Sequence, residues 1–511
     1  MISIKNKISS ISRHQNKYLM SVIAVVILFF SCQFLLKGIG AGSSEKNAFL
    51  LTSSIILLNF SKKIFWFIAF PIFILMALYL PVGLIFGLPT YQSIASILST
   101  NLLETHEFLE QFSLSNIIYM LLVLAGFIAF RLIHVNLKLN LHKSKIIILS
   151  FVLVSFFNQD SAVFYRDSIE SLKNIKNVED QLISYHNDWG KVWLNNKNQD
   201  IYLLVIGESV RADYMNDYGY PIDNTPFMTH SGTSVKGLIS GGGNTVLSLS
   251  HMLTQNDDGQ PNFNRNIVDL ANSAGFKTWW ISNQGFIGQS DTPISMIANK
   301  SAVKDFTKYG AFNSHNTSDF LLIDKLKAAI NEDSGQRKFI VVHLYGSHPK
   351  PCARVEDYPA VFKASRDGLK NIACYVNSIK KTDDILQTFN NELARYTTEH
   401  GKRYSMVYFA DHGLVHEKSK KEIQLVHGNG MNSYLVPLFE ISTGDAAPRK
   451  CNASKSGYKF TEGIATWAGI SSEHIQKKYD LFDCQSDPDA LARLQRLSKS
   501  TQEDETAINL Q

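Results

Sequence analysis

Cysteine is scarce in this 511-residue chain, with five residues and no close C-x-x-C pair, which argues against a zinc ribbon or a thiol cluster. An excess of either charge is also missing. With 50 Lys and Arg against 45 Asp and Glu, the formal net charge of +5 gives no basis for nucleic-acid binding. No block is low in complexity or internally repeated, which excludes solenoid architectures. Long apolar runs are absent after residue 157, and Lys and Arg are absent from 89–116. Both gaps carry information, because what is missing from one stretch is concentrated in another.

Residues 1–157 hold the apolar runs. The stretches 18–36 and 64–88 are long enough to cross a hydrocarbon core of roughly 30 Å, and 117–135 is interrupted only by Arg131 and His134 near its end. With the shorter runs 48–60 and 146–157, five membrane spans are expected. Basic residues set their direction. Lys5, Lys7, Arg13 and Lys17 precede the first run, Lys62 and Lys63 separate the second from the third, and Arg131, Lys138, Lys143 and Lys145 separate the fourth from the fifth. The positive-inside rule puts all three clusters, and the N-terminus, in the cytoplasm. The 89–116 loop, free of Lys and Arg, then lies on the opposite side, and everything after 157 is exported. A cleaved signal ending at Ser31-Cys32 is the alternative for the first run, but the run is long for a signal core and more spans follow.

Cysteine placement agrees with export. Cys32 lies in an apolar run, whereas Cys352, Cys374, Cys451 and Cys484 form an even exported set suited to two disulfides, expected as Cys352 with Cys374 and Cys451 with Cys484. The polar stretch 158–200 has scattered apolar residues that suit an amphipathic connecting helix. From 201 to 492, strand-like runs (201–206, 278–282, 339–344, 404–410, 436–441) alternate with helical spacing (266–274, 320–331, 379–394), which predicts a mostly parallel sheet covered on both faces. Residues 493–511 are polar and charged without a clear apolar stripe and are expected to form a loose tail.

Chemistry gathers at the ends of these strands. Asp411-His412-Gly413 follows the apolar run 404–410, and Gly207-Glu208-Ser209 follows 201–206. Open α/β sheets bind ligands at such carboxyl ends. Glu208, Asp411 and His412 are hard donors of the kind Zn²⁺ accepts. One Asp-His pair on a loop also fits a plain turn beside a surface histidine; a second strand end of the same kind favours a metal. The segment SGGGNTVLSLSHML is a glycine-rich turn running into a helix whose first turn holds Thr245, where free amides stabilise an anion. A threonine hydroxyl needs a metal or base to become a nucleophile. The competing reading is a helix cap, since Asn244 or Thr245 would serve. His348 in YGSHP and His427 in LVHGNG stand at strand-end or loop positions that could face the same pocket, whereas His343 sits within its strand.

The segments VIGESVRADYMNDYGYPIDNTPF, GGGNTVLSLSHML, LYGSHP, YFADHG and LVHGNG, in this order behind a multi-span region, resemble the phosphoethanolamine transferases of Gram-negative bacteria, within the alkaline phosphatase superfamily. TWWISNQGFIG, GSHPKPCAR and STNLLETHEFLEQF resemble the branch that modifies osmoregulated periplasmic glucans. The resemblance implies an α-helical membrane domain followed by an α/β/α alkaline-phosphatase-like periplasmic domain of the sulfatase type, in the bacterial inner membrane. It implies zinc held by Glu208, Thr245, Asp411 and His412, with Thr245 phosphorylated, and His348 and His427 contacting the transferred phosphate or a second zinc. The implied donor is phosphatidylethanolamine and the acceptor a periplasmic glucan or lipopolysaccharide. Donor and substrate contacts are carried over onto Asn101, Thr105, Glu110 and Asn283.

The chain departs from the lipid A modifying members in two places. Their cysteines flanking the nucleophile segment are Gly241 and His251 here, so that disulfide is absent and loop rigidity must come from elsewhere. Asn101 and Thr105 match the donor loop, but Leu109 occupies the next turn and Glu110 follows one residue later. A sulfatase would need a C/S-x-P-x-R setting that GNTVLSL lacks. A phosphoglycerol transferase or phosphodiesterase would use the same residues, and a membrane sensor with an inactive domain would be expected to have lost a ligand.

Overall fold

The computed structural model describes residues 2–41, 44–59, 62–89, 114–133, 151–152, 155, 160–195, 199–286, 292–309, 317–333, 335–418, 422–445, 447–475 and 478–510. The chain divides into two compact units, the second continuing from Ile175 to the C-terminal residues.

In the first unit, three helical stretches among the described residues are long and apolar enough to cross a membrane: Tyr18–Gly38, Lys62–Leu84 and Leu114–Ile133. The run at 48–60, expected as a span, lies in a helix of 14 residues, Glu45–Leu58, which at 1.5 Å per residue is shorter than a bilayer core. Most of the run at 146–157 lies outside the described residues. Large aromatic side chains pack the interior, with Phe73 stacked on Phe127 at 4.0 Å and Phe65 on Phe127 at 5.1 Å. Arg131, the charge that interrupts the third span, is buried with its guanidinium 4.8 Å from the Phe65 ring centre and a hydrogen bond to Asn59. The amphipathic stretch after it is the helix Asp160–Ile183.

The second unit is built on one nine-stranded sheet. In chain order its strands are β1 (Ile201–Gly207), β2 (Thr233–Ile239), β3 (Lys277–Phe286), β4 (Val303–Tyr309), β5 (Lys338–His343), β6 (Tyr404–Ala410), β7 (Leu435–Val436), β8 (Leu438–Ser442) and β9 (Arg449–Ser456). Their spatial order is β7-β2-β8-β6-β1-β5-β3-β4, with β9 alongside β2. The run β6-β1-β5-β3-β4 is parallel. Every residue of β1, β5 and β6 is buried, which explains why these strands read as unbroken apolar runs rather than alternating ones. Helices including Ile267–Ser273, Leu321–Asn331 and Lys370–His400 cover the sheet.

Two expectations are corrected. The run 436–441 is not one strand: Pro437, without an N–H to donate, separates β7 from β8. Residues 493–511 are not a loose tail, because the helix Pro488–Ser500, capped by the Asp487 side chain, presents Ala490, Leu494 and Leu497 to Ile239 and Tyr434. The segment beyond it is fastened as well. Asp504 pairs with buried Arg211 at 2.8 Å, Tyr220 donates to Ile508 O at 2.8 Å, and Leu510 is buried. The stripe escapes notice in the sequence because Arg493 stands within it.

Candidate metal and nucleophile site

Sheet register brings the acidic residues together. Gly207 lies opposite Ala410 in the parallel ladder and the Asp411 N–H donates to Gly207 O at 3.0 Å, so Glu208 and Asp411 leave the sheet side by side. Ser209 then turns with φ 59°, a left-handed value that costs a residue with a side chain about 1–3 kcal/mol. Three bonds hold it there. Its N–H donates to Asp411 Oδ1 at 3.0 Å, its hydroxyl to Glu208 Oε1 at 2.7 Å, and its carbonyl accepts from the Tyr375 hydroxyl at 2.7 Å.

His412 completes a buried trio. Its Nδ1 lies 2.7 Å from Gly413 O, and since a carbonyl can only accept, Nδ1 carries a hydrogen and Nε2 is the nitrogen that can offer a lone pair to a cation. Nε2 is 3.3 Å from Glu208 Oε1 and 3.4 Å from Asp411 Oδ2. One ligand-type atom from each of the three residues lies within 4.8 Å of the others.

Thr245 reaches the trio as the first residue of the helix Thr245–Met252. The capping role falls to Asn244, whose side chain accepts from the Leu247 N–H at 2.9 Å, so Thr245 is spared it. Its hydroxyl lies 3.1 Å from Glu208 Oε2 and 3.3 Å from His412 Nε2. Ser248, one turn on, ties the two halves: its hydroxyl accepts from the Gly241 N–H at 3.1 Å and donates to Asp411 O at 2.5 Å.

These residues fit a divalent cation. Asp411 Oδ2 is fully buried and accepts no hydrogen bond, although it belongs to a carboxylate facing Glu208 and His412. A buried oxygen of that kind is costly unless a proton or a metal occupies it. The donor set, two carboxylates and a neutral imidazole nitrogen beside a hydroxyl, matches zinc. Without a cation the charges distort one another. Burial, reinforced by the charge of Glu208, pushes the Asp411 carboxyl up to about 8. On Glu208 burial acts the same way, but the hydrogen bond and charge of His412 outweigh it and hold that carboxyl low. On His412 burial acts downward and is overcome by the two carboxylates, raising the imidazole to about 9.

His348 and His427 stand beside this group. The His427 ring centre is 5.2 Å from that of His412 and 5.6 Å from that of His348, which stacks on Tyr345 at 4.8 Å. The loop carrying Tyr345 and His348 is fixed by Asp319, whose two carboxylate oxygens each accept a backbone N–H, from Tyr345 and Gly346, at 2.8 Å. The Ser347 N–H donates to Glu208 O at 3.0 Å. His343 is buried within β5 against Trp280, and burial lowers its imidazole to about 4.

Asn283 is a correction. It is fully buried, donating to Thr317 O and Asp319 Oδ1 and accepting from Thr307 and Thr317, so no capacity is left for a substrate. It supports Asp319 instead. The next residue, Gln284, reaches the site, donating to Glu208 Oε2 at 3.2 Å and Leu344 O at 2.8 Å. A register shift between Ser282 and Gly285 re-aims this stretch, and nothing in the sequence marks it. Asn101, Thr105 and Glu110 lie outside the described residues. Cys352 is bonded to Cys374 and Cys451 to Cys484, with Cα atoms 4.8 and 4.9 Å apart.

A family model described as Sulfatase matches residues 200–470. A Haemophilus influenzae chain named for phosphoethanolamine transfer is 40% identical over 444 residues, covering 84% of this chain and 91% of that one. Phosphoethanolamine transferase OpgE of Escherichia coli is 33% identical over 435 residues, covering 79% and 80%. Among solved structures, the integral membrane lipooligosaccharide phosphoethanolamine transferase A of Neisseria meningitidis superposes with a TM-score of 0.60 at 15% identity, over 90% of this chain and 97% of that one, a likeness of fold. Apolar N-terminal helices, a sulfatase-type domain and these relatives together make the chain an enzyme of the phosphoethanolamine transferase family.

Proposed function

We propose that this enzyme moves phosphoethanolamine from phosphatidylethanolamine onto an oxygen of a periplasmic glycan or lipopolysaccharide, through a phosphothreonine at Thr245. An osmoregulated glucan is the first candidate acceptor, on the resemblance of TWWISNQGFIG and GSHPKPCAR to that branch. The reading takes the protein as a multi-pass inner-membrane enzyme with its N-terminus in the cytoplasm and the second unit in the periplasm.

The observation that carries it is the convergence of the Thr245 hydroxyl, at a helix N-terminus, on Glu208 and His412. Glu208, Asp411, His412 and Thr245 would hold zinc, which when bound acts as a Lewis acid, lowering the pKa of a hydroxyl and offsetting charge on phosphoryl oxygens. Thr245 attacks phosphorus and diacylglycerol leaves; an acceptor hydroxyl then attacks the phosphothreonine and returns the threonine oxygen. The N-terminus of the helix Thr245–Met252 would offset charge on the phosphoryl group in both steps. His348 and His427, beside His412, would bind its oxygens.

The test is Thr245→Ala in the full-length protein. Transfer of a labelled headgroup from phosphatidylethanolamine vesicles should stop, and the phosphopeptide at 245 should vanish, while the protein still reaches the membrane. Full activity would refute the nucleophile. Mass spectrometry of glucan and lipopolysaccharide fractions with and without the protein names the acceptor.

A further inference from the structure

The threonine loop is gripped by residues from three separate parts of the chain. Arg493, from the helix Pro488–Ser500, is only 7% exposed and donates to Ile239 O at 3.3 Å and to Gly241 O at 3.0 Å. Its guanidinium lies 4.1 Å from the centre of the Tyr458 ring, and the His251 ring stacks on Tyr458 at 4.3 Å. Asn256 ties the layers, accepting from His251 Nδ1 and donating to Tyr458 O at 2.8 Å.

Backbone contact is equally close. A Cβ on Gly457 would lie 2.6 Å from Ile239 O and 2.8 Å from Gly241 N, and one on Gly241 would lie 2.3 Å from Ser248 O and 2.8 Å from His251 Cβ. The main chain on both sides is thus pressed together where no side chain fits. Among the described residues no carboxylate forms an ion pair with Arg493. Its charge is met by two loop carbonyls and an aromatic face, so the loop, not an acid, is what it binds.

We propose that Arg493, Tyr458 and His251 form a non-covalent clamp that fixes the 239–244 loop and so holds the Thr245 hydroxyl against its partners, making Arg493 a positioning residue for transfer. The inference rests on Thr245 being the nucleophile. It assigns the clamp no metal ligand, because Glu208, Asp411 and His412 issue from β1 and β6 rather than from this loop.

Full-length Arg493→Met, Arg493→Lys, Tyr458→Phe and Tyr458→Leu are compared for kcat, KM for phosphatidylethanolamine and zinc per chain, with Thr245→Ala alongside. A misplaced nucleophile costs on the order of tenfold to a hundredfold in rate. Arg493→Met should lose that factor in kcat with KM and zinc content unchanged, and Arg493→Lys should recover part of it. Tyr458→Phe, which keeps the stacking face, should behave as wild type, and Tyr458→Leu should fall with Arg493→Met. Wild-type kcat per zinc-loaded chain in both Arg493→Met and Tyr458→Leu overturns the clamp. If Thr245→Ala is inactive in that same experiment, the nucleophile survives and the clamp alone fails; an active Thr245→Ala removes both.

Discussion

Chelation should lower the melting temperature of the wild type and leave Asp411→Asn untouched, with the two proteins changing rank between the metal-free and zinc-loaded states. In the metal-free wild type, Asp411 and Glu208 are buried side by side with no cation between them, and either keeping both charged or protonating Asp411 is a defect of about 1–3 kcal/mol or more. Asparagine can keep Oδ1 where it accepts from the Ser209 and His412 N–H groups at 3.0 and 2.7 Å, and turn an NH₂ donor toward Glu208. The metal-free variant should therefore be more stable than the metal-free wild type. Zinc reverses the order, because free metal at a thousand times its Kd stabilises the wild type by about 4 kcal/mol, whereas the variant has lost a ligand. At about 2 °C per kcal/mol for a unit of this size, the wild type should gain about 8 °C and the variant almost nothing. Intrinsic-fluorescence melts in detergent, after chelation and again with zinc restored, read both shifts. A wild type indifferent to chelation, or a variant with the full zinc response, would show that these side chains do not hold a metal.

Two further outcomes follow from the same geometry. Ser248→Ala removes the hydroxyl between Gly241 N and Asp411 O and strands a buried N–H, so it should destabilise by about 1–3 kcal/mol and slow transfer while zinc is retained; unchanged melting and rate would show that the bridge is incidental. His251 is lowered to about 4 by burial, against the opposing pull of Asn256. Its unfolded form takes up a proton first, so stability present above about pH 6.5 is lost as pH falls toward 4, by up to about 3 kcal/mol. The melting temperature of His251→Phe should fall less steeply than that of the wild type over that window, and parallel curves would assign the acid sensitivity to other groups.

The buried strands were legible because burial on both faces writes itself as unbroken apolar runs, and the strand-end motifs after 206 and 410 showed where ligand atoms emerge. Thr245 could be found because glycine-rich turns before helices are few. Edge strands were not legible: β4 (VKDFTKY) and β9 (RKCNASKS) alternate charge with small or aromatic residues and resemble loops. The resemblance points to Asn283 where Gln284 reaches Glu208, because a bulge decides which neighbour points inward. Arg493 opens the stretch whose polarity suggests a loose tail, and only tertiary packing reveals that its partners are main-chain carbonyls.

Arg211 holds both carboxylate oxygens of Asp213 through Nε and Nη2 and reaches Asp504 and Glu505 O at 2.8 Å each, while Gln502 N–H is anchored to Asn429 O, two residues from His427. A protease cut or fusion joint placed before residue 502 would therefore unbutton the histidine loop from a distance, and purification handles belong at the other end of the chain.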